Sequence, residues 1–262
     1  MRLLPILLCA AGLPWTAVAV DSGDFHWRGK LKTGDAIELK GVNGNITAEP
    51  GTGSEIEVTA RKSGRKDNPE SVRVEVVEHA GGVTICSVYP DVDGRRNECK
   101  PSEGGHMATR NNDVKVDFTV KVPSGVRLIG RTVNGNIEAH SLKSDVEAYT
   151  VNGNVKFSTS GTATAVKTVN GSIDASMGSA NWSRPAEFAS VNGSVAVQVP
   201  ANTSADVHAS TVNGSIRTDF PLTVQGKFVG RHIDGKIGSG GRELKLNTVN
   251  GSIQLRQTSG KV

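Results

Sequence analysis

The pentapeptide Val151-Asn152-Gly153-Asn154-Val155 recurs, with small changes, at eight places along this chain of 262 residues. Asn-Gly dipeptides turn a chain tightly between strands, because both residues tolerate a positive φ. Each copy therefore predicts a corner between two β-strands. The predicted corners, one of them a degenerate Asp-Gly copy, are Asn43-Gly44, Asn134-Gly135, Asn152-Gly153, Asn170-Gly171, Asn192-Gly193, Asn213-Gly214, Asp234-Gly235 and Asn250-Gly251.

Regular spacing separates the corners in the second half of the chain. From position 134 onward, the Asn or Asp residues follow one another at intervals of 18, 18, 22, 21, 21 and 16 residues. Apolar and charged residues alternate between the corners: Val146, Ala148 and Thr150 fall on one side of the chain, and Glu147 and Lys156 on the other. This alternation predicts short strands with one buried and one solvated face.

The repeat predicts an all-β fold, because no 3.6-residue periodicity indicates a helix that could cover the apolar faces. In a β-solenoid, each coil of about 20 residues turns at Asn-Gly and again at a second, looser corner, and successive coils stack. Stacked coils would lie about 4.8 Å apart and could align the asparagines in an amide-bonded ladder. The alternative is an antiparallel β-meander closed as a barrel or folded as a sandwich, with Asn-Gly as hairpin turns. Period-two patterning fits both folds, and the solenoid is the favoured interpretation.

The first half of the chain is less regular. Five strands are predicted there, at 36–47, 55–61, 71–78, 83–89 and 114–122. A long connection over 90–112 is rich in Gly, Asp, Arg and Asn, and it either carries specificity or is a tolerated insertion. We divide the chain into an irregular β-rich part, 20–125, and a regular repeat part, 126–262.

Residues 1–19 predict a secretory signal peptide. Arg2 supplies a positive start, an apolar stretch follows, and Ala17-Val18-Ala19 forms a small-residue cleavage site. Cys9 lies too early in the apolar stretch to be a convincing lipidation site. We therefore expect an exported protein, in the periplasm or at the cell surface. No later segment is long and apolar enough to cross a membrane.

Cleavage of that segment would leave Cys86 and Cys99 as the only cysteines. An even pair in an oxidising compartment predicts a disulfide. The competing interpretation is a metal site that adds His106, but this spacing matches no standard zinc pattern and lacks one ligand. No metal or cofactor site is predicted.

Composition and motifs argue against several functional classes. Lysine and arginine number 30 against 26 acidic residues, and aromatic residues make up only 4% of the chain, so the stacking platforms of nucleic-acid binders are absent. The sequence contains no nucleophile elbow, phosphate-binding loop or calcium repeat. No catalytic residue is therefore predicted. The alternative is a β-helix lyase or glycosidase that degrades polysaccharides, with Asp145, Glu147 and Asp174 as candidate carboxylates.

The segment Thr132-Val133-Asn134-Gly135-Asn136-Ile137, preceded by Phe-Thr-Val-Lys-Val-Pro-Ser-Gly-Val at 118–126, resembles the bacterial "putative adhesin" family of β-strand repeats, a domain of unknown function. The resemblance extends over nearly the whole chain after the signal segment. It implies a right-handed parallel β-solenoid that is exported or associated with the envelope, and it supplies no catalytic residues. The resulting hypothesis is a non-enzymatic adhesin or envelope module whose partner is an envelope polymer, a glycan or a protein.

Overall fold

The computed structural model describes residues 24–224 and 231–258, and these residues form strands with a single 3₁₀ turn at Pro69–Ser71. The predicted signal segment, Cys9 included, lies outside the described residues. The strands are β1 (Asp24–Lys30), β2 (Ala36–Lys40), β3 (Ile46–Pro50), β4 (Glu55–Ser63), β5 (Arg73–His79), β6 (Gly82–Val88), β7 (Lys115–Val122), β8 (Arg127–Arg131), β9 (Ile137–Leu142), β10 (Val146–Tyr149), β11 (Val155–Thr159), β12 (Ala163–Lys167), β13 (Ile173–Met177), β14 (Ala186–Asn192), β15 (Val195–Val199), β16 (Ala205–Asn213), β17 (Ile216–Thr218), β18 (Thr223–Val224), β19 (His232–Ile237), β20 (Glu243–Asn250) and β21 (Ile253–Gln257).

The strands form two sheets that enclose one continuous apolar core. Sheet A has the order β1-β4-β7-β3-β9-β11-β13-β15-β21-β17, and sheet B has the order β18-β19-β16-β20-β14-β12-β10-β8-β2-β6-β5. In most strands, residues alternate between burial in the core and a more exposed outer face. In β13, for example, Ile173, Ala175 and Met177 are buried, whereas Asp174 is exposed. The period-two pattern of the sequence therefore sorts side chains between core and solvent.

The predicted β-solenoid is confirmed, because each coil gives one strand to each sheet and neighbouring coils pair in parallel. In sheet B, β10 lies parallel between β8 and β12, so that Ala148 is level with Gly130 and Val166. In sheet A, β11 lies parallel between β9 and β13. The antiparallel meander is wrong for the repeat part, since a meander would pair consecutive strands through hairpins.

The irregular part adds antiparallel strands to the first coil, which consists of β2 and β3. In sheet A, β4 pairs antiparallel with both β1 and β7, and β7 lies beside β3. In sheet B, the hairpin of β5 and β6 lies beside β2. The single strand predicted at 36–47 is wrong, because the corner at Asn43 divides it into β2 and β3 in different sheets.

The coils do not stack in chain order. The coil of β20 and β21 lies between the coil of β14 and β15 and the coil of β16 and β17. Both sides of β20 and of β21 are therefore hydrogen-bonded. The chain reaches this position after β19 has returned antiparallel along the outer side of β16, so the last copy of the repeat fills an inner place.

One predicted corner, at Asp234-Gly235, is wrong. Both residues lie inside β19, where Asp234 is level with His208 and Gly235 with Val207 of β16. The Asp234 carboxylate accepts a hydrogen bond from His208 Nδ1 at 2.6 Å instead of joining a neighbouring asparagine. This copy keeps the alternation of the repeat, but its residues form part of β19, which lies between β16 and β18 near the edge of sheet B.

Candidate functional site

The seven Asn-Gly corners stack at the edge where the strands of sheet B lead into those of sheet A. Isolated parallel bridges join Asn43 to Asn134, Asn134 to Asn152, Asn152 to Asn170 and Asn170 to Asn192. Beyond these, Asn250 is level with both Asn192 and Asn213. The corners therefore form one line across seven coils, and a side chain at a given motif position repeats about every 4.8 Å along it.

The asparagine side chains of this line form a ladder of amide hydrogen bonds. Except at Asn43, which only accepts, each Nδ2 donates to the Oδ1 of an asparagine in the adjacent coil, at 2.7–2.8 Å. Asn170, for example, donates to Asn152 and accepts from Asn192. Six such bonds connect the seven asparagines, which accounts for one residue type at one position in every coil.

The corner glycines are required for a different reason from the one predicted. Only Gly44 has a positive φ, at 131°. At Gly153, a Cβ atom would lie 1.9 Å from the carbonyl oxygen of Gly135 in the adjacent coil, and Gly171 stands in the same relation to Gly153. Glycine is therefore needed because stacked backbones approach too closely for any side chain. The positive-φ turn predicted from Asn-Gly is wrong at these corners.

At every Asn-Gly corner except the first, where Gly41 precedes Val42, the residue before the corner valine is a buried threonine or serine that supports the stack. Thr150 is buried and its hydroxyl donates to the Gly135 carbonyl at 2.9 Å, and Thr168 makes the same bond to Gly153. Ser190 replaces threonine in the next coil and donates to Gly171 at 2.8 Å. These bonds satisfy the glycine carbonyls, so the corner is rigid on its inner side.

The corner valines of five coils form an exposed apolar row beside the asparagine ladder, whereas Val42 is buried and Val133 is partly buried. In stacking order, the valine row consists of Val151, Val169, Val191, Val249 and Val212, each with 38–52% of its surface exposed. They are the large apolar residues that the described part of the chain leaves exposed. Sequence alternation places valine outward here, but only the stacking makes the five valines one continuous surface.

The loop that follows β6 is fastened to the outer face of β2 and β6. Cys86 and Cys99 are bonded, with Cα atoms 5.6 Å apart, so they are not available as metal ligands with His106. The Lys40 ammonium donates to the carbonyls of Lys100, Ser102 and Gly104 at 2.8–2.9 Å. Burial lowers the pKa of Lys40, with the neighbouring Glu38 carboxylate opposing that effect.

Glu38 also helps to hold this loop against β2, and the sequence did not predict its role. Its carboxylate is 3% exposed, pairs with Arg131 Nε at 2.9 Å and accepts bonds from Thr84 and the Ser102 amide at 2.8 Å. The alternating pattern of β2 gives no signal for buried charges, because the loop that covers them comes 60 residues later. The 90–112 connection is therefore fastened to β2 and β6 by Lys40, Glu38 and the disulfide.

The candidate carboxylates of the enzymatic alternative do not converge. Asp174 lies in sheet A opposite Lys156 of the adjacent coil, whereas Glu147 lies in sheet B. Asp145 Oδ1 accepts bonds from the amide and hydroxyl of Thr162, both at 2.8 Å. Glu147 is paired with Arg184 at 2.8 Å. An acid and base pair facing one substrate bond would need two available carboxylates together. Asp174 lies in the other sheet, and Asp145 and Glu147 are each held by protein partners.

Within residues 24–224 and 231–258, no helix has the length and apolar character to span a membrane. The described part of the chain also brings together no three His, Cys, Asp or Glu side chains as a metal site. Fold and site together define a repeat protein of the β-solenoid class, with regularly spaced side chains displayed along its corners.

The model of the Toastrack DUF4097 family matches residues 131–256, just under half of the chain. This match confirms the family resemblance seen in the repeat. No curated protein matches the chain in sequence.

Among solved structures, a "putative cell adhesion protein" from Clostridium sporogenes ATCC 15579 is 11% identical, with a TM-score of 0.48; the match covers 90% of this chain and 100% of that one. A "putative adhesin" from Bacteroides fragilis NCTC 9343 is 12% identical, covers 91% and 98% of the two chains, and has a TM-score of 0.36.

Proposed function

We propose that this protein is an exported, non-enzymatic interaction module of the bacterial cell envelope, adhesin-like in that it holds a repetitive polymer along its corner line. The valine row carries this proposal. Five exposed valines at intervals of about 4.8 Å, bordered by amides, offer the same contact in successive coils. A partner with a repeating structure can use many such contacts, each weak, and gain affinity from their number.

The chemistry of the row favours apolar and amide contacts over charge. Val169 and Val191 present methyl groups, and the amides of Asn170 and Asn192 lie beside them with their remaining hydrogen-bonding capacity turned to solvent. Glycan chains and acetamido groups combine apolar faces with amide and hydroxyl groups. Uncharged stretches of such a polymer, and not clusters of charge, are what the valine row itself can contact.

Export is supported by the disulfide between Cys86 and Cys99 and by the signal segment expected at 1–19, since disulfides persist in oxidising compartments. Alkylation of the native protein without reductant should find neither Cys86 nor Cys99 as a free thiol. Added protease should degrade the protein on intact cells if it is displayed at the cell surface, and only after the outer envelope is opened if it is periplasmic.

The test of the polymer-binding role is co-sedimentation of residues 20–262 with isolated cell-envelope material and with polysaccharides at low and high salt. Binding should be saturable and should survive high salt, because screening weakens charge contacts but not apolar ones. Changing Val151, Val169 and Val191 together to threonine keeps the branched shape but removes the apolar surface, and should abolish binding.

The matched control changes the same three valines to isoleucine, which keeps the branch and the apolar character. This control should bind at least as well as the unchanged protein. Absence of binding, loss of binding in high salt, or equal binding by the threonine and isoleucine variants would each overturn the proposal. Circular dichroism on all three proteins checks that the solenoid is retained.

A further inference from the structure

A polar trough lies at the opposite corner of the same coils, where strands of sheet A lead back into sheet B. It has a volume of about 490 Å³ and is bounded on one side by the loop that joins β13 to β14. Its lining is rich in hydroxyl and guanidinium groups, with Arg127, Thr162, Thr164, Ser183 and Arg184 prominent. The volume is within the range of small-ligand sites.

The wall of the trough is fastened in place. Trp182 is buried, and its indole Nε1 donates to the Glu243 carbonyl at 3.1 Å. Asn181 accepts a hydrogen bond from Arg242 Nη2 at 2.6 Å. Because the loop between β13 and β14 is held at both contacts, a ligand would meet side chains that are already positioned.

Arg127 and Arg184 both pair with the carboxylate of Glu147, which is largely buried. Glu147 Oε1 lies 2.8 Å from Arg184 Nη2 and 3.7 Å from Arg127 Nη1. The Glu147 side chain is 14% exposed, whereas those of Arg127 and Arg184 are 33% and 59% exposed. The cations are therefore outermost, and the charge that a ligand meets first is positive.

The other acid of the trough, Asp145, is partly exposed, and its Oδ1 accepts hydrogen bonds from the amide and hydroxyl of Thr162. Arg184 lines the trough and donates through Nη2 to Glu147 and Thr164, whereas its Nη1 makes no hydrogen bond to the described residues. The Nη1 group can therefore donate a charge-assisted hydrogen bond to a carboxylate.

We propose that this trough binds a carboxylate-bearing sugar, a uronic acid unit of an acidic polysaccharide. The guanidinium of Arg184 would hold the carboxylate, and the hydroxyls of Thr164 and Ser183 would bond the ring hydroxyls. The inference rests on the proposed function and adds a second contact with a polymer. Because the trough and the valine row occupy opposite corners of the coils, binding at one can be tested and refuted without the other.

The test is titration calorimetry of residues 20–262 with an oligogalacturonide and with its fully methyl-esterified form. The acid form should bind saturably, more weakly as salt rises, and the ester should bind at least about tenfold more weakly, as expected when a charge-assisted pair is lost. Arg184→Gln, which keeps a polar side chain without the charge, should lower affinity for the acid form by about tenfold or more.

Arg217→Gln is the matched control, because Arg217 is also exposed but lies on β17 of sheet A. It should bind the acid form as the unchanged protein does. Thr164→Val, which preserves shape, should weaken binding even if Arg184→Gln proves unstable. Absence of saturable binding, equal binding of acid and ester, or unchanged affinity in Arg184→Gln with its fold intact would overturn the inference.

The threonine variants of the valine row separate this inference from the proposed function. They should lose co-sedimentation with the envelope yet keep calorimetric binding of the oligogalacturonide. If Arg184→Gln loses the oligosaccharide while envelope binding persists, both sites stand. If the unchanged protein binds the envelope but not the oligogalacturonide, the proposal for the trough has failed. If it binds the oligogalacturonide but not the envelope, the proposal for the valine row has failed.

Discussion

Replacement of Gly171 by alanine tests how the coils are held together. The added Cβ would lie 1.9 Å from the carbonyl oxygen and 2.5 Å from the carbonyl carbon of Gly153. Both are backbone atoms of the adjacent coil, so no side chain can rotate away. A carbon and a carbonyl oxygen rarely approach closer than about 3.3 Å, and the two coils must therefore separate by about 1 Å or more at this corner.

The cost follows from the hydrogen bonds that cross this gap. Separation stretches the bond from the Gly153 amide to the Asn170 carbonyl, at 3.0 Å, the amide bond from Asn170 to Asn152, at 2.8 Å, and the Thr168 hydroxyl bond to Gly153, at 2.9 Å. At about 1 kcal/mol each, these bonds give a loss of about 3 kcal/mol, and residual strain adds to it. For a chain of this size the melting temperature should fall by about 6–12 °C.

Urea unfolding followed by circular dichroism measures the loss of free energy. Gly81→Ala is the matched control, because its Cβ would meet only the His79 ring, at 3.6 Å, and it should change stability by less than about 0.5 kcal/mol. Gly171→Asn separates the two explanations of the corner: asparagine tolerates a positive φ but needs as much room as alanine does. A stable Gly171→Asn protein would refute the close-approach argument, and so would an unchanged midpoint for Gly171→Ala.

Three further predictions concern the ladder and two titrating groups. Asn170→Ala loses two amide bonds and Asn213→Ala loses one, so urea unfolding should show losses of about 2 and about 1 kcal/mol; equal losses would contradict a continuous ladder. Burial raises the pKa of Tyr89 from 10.0 to about 12. Stability should therefore be complete below about pH 10 and fall by up to about 3 kcal/mol as pH rises through 12, and Tyr89→Phe should remove that part of the decline. Hydrogen bonds from His208 and His232 lower the pKa of Asp234. Asp234→Asn should therefore be less stable than the unchanged protein at pH 7, and the difference should shrink as pH falls below about 4, through the lowered pKa; a constant difference would exclude ionisation as its cause.

Local chemistry accounts for most of what could be predicted about the strands. Residues such as Val155 and Phe157 alternate with polar neighbours, and both are buried in the core as that alternation requires. The extents of β4 and β7 agree with their predictions to within two residues. Strand β1, by contrast, was not predicted, although Phe25 and Trp27 alternate with more exposed polar residues and pack against the core.

The site was less accessible to prediction because it is built from residues far apart in the chain. The valine motif is visible in the sequence, but its exposure as one row depends on the order of the coils, and Val249 stands between Val191 and Val212 only in the structure. Glu147 was noted as an outward carboxylate. Its withdrawal behind Arg127 and Arg184 depends on packing between positions that are 20 and 37 residues away from it.

Local patterns are enough to predict a repeat protein of short strands with corners at Asn-Gly, because a period of two and a recurring dipeptide are properties of neighbouring residues. Three features could be seen only in the folded chain: the order of the coils, the place of Asp234-Gly235 inside a strand, and the need for glycine on grounds of space and not of a positive φ. Each of these depends on the backbone of another coil, about 4.8 Å away in space but 18 or more residues away along the chain.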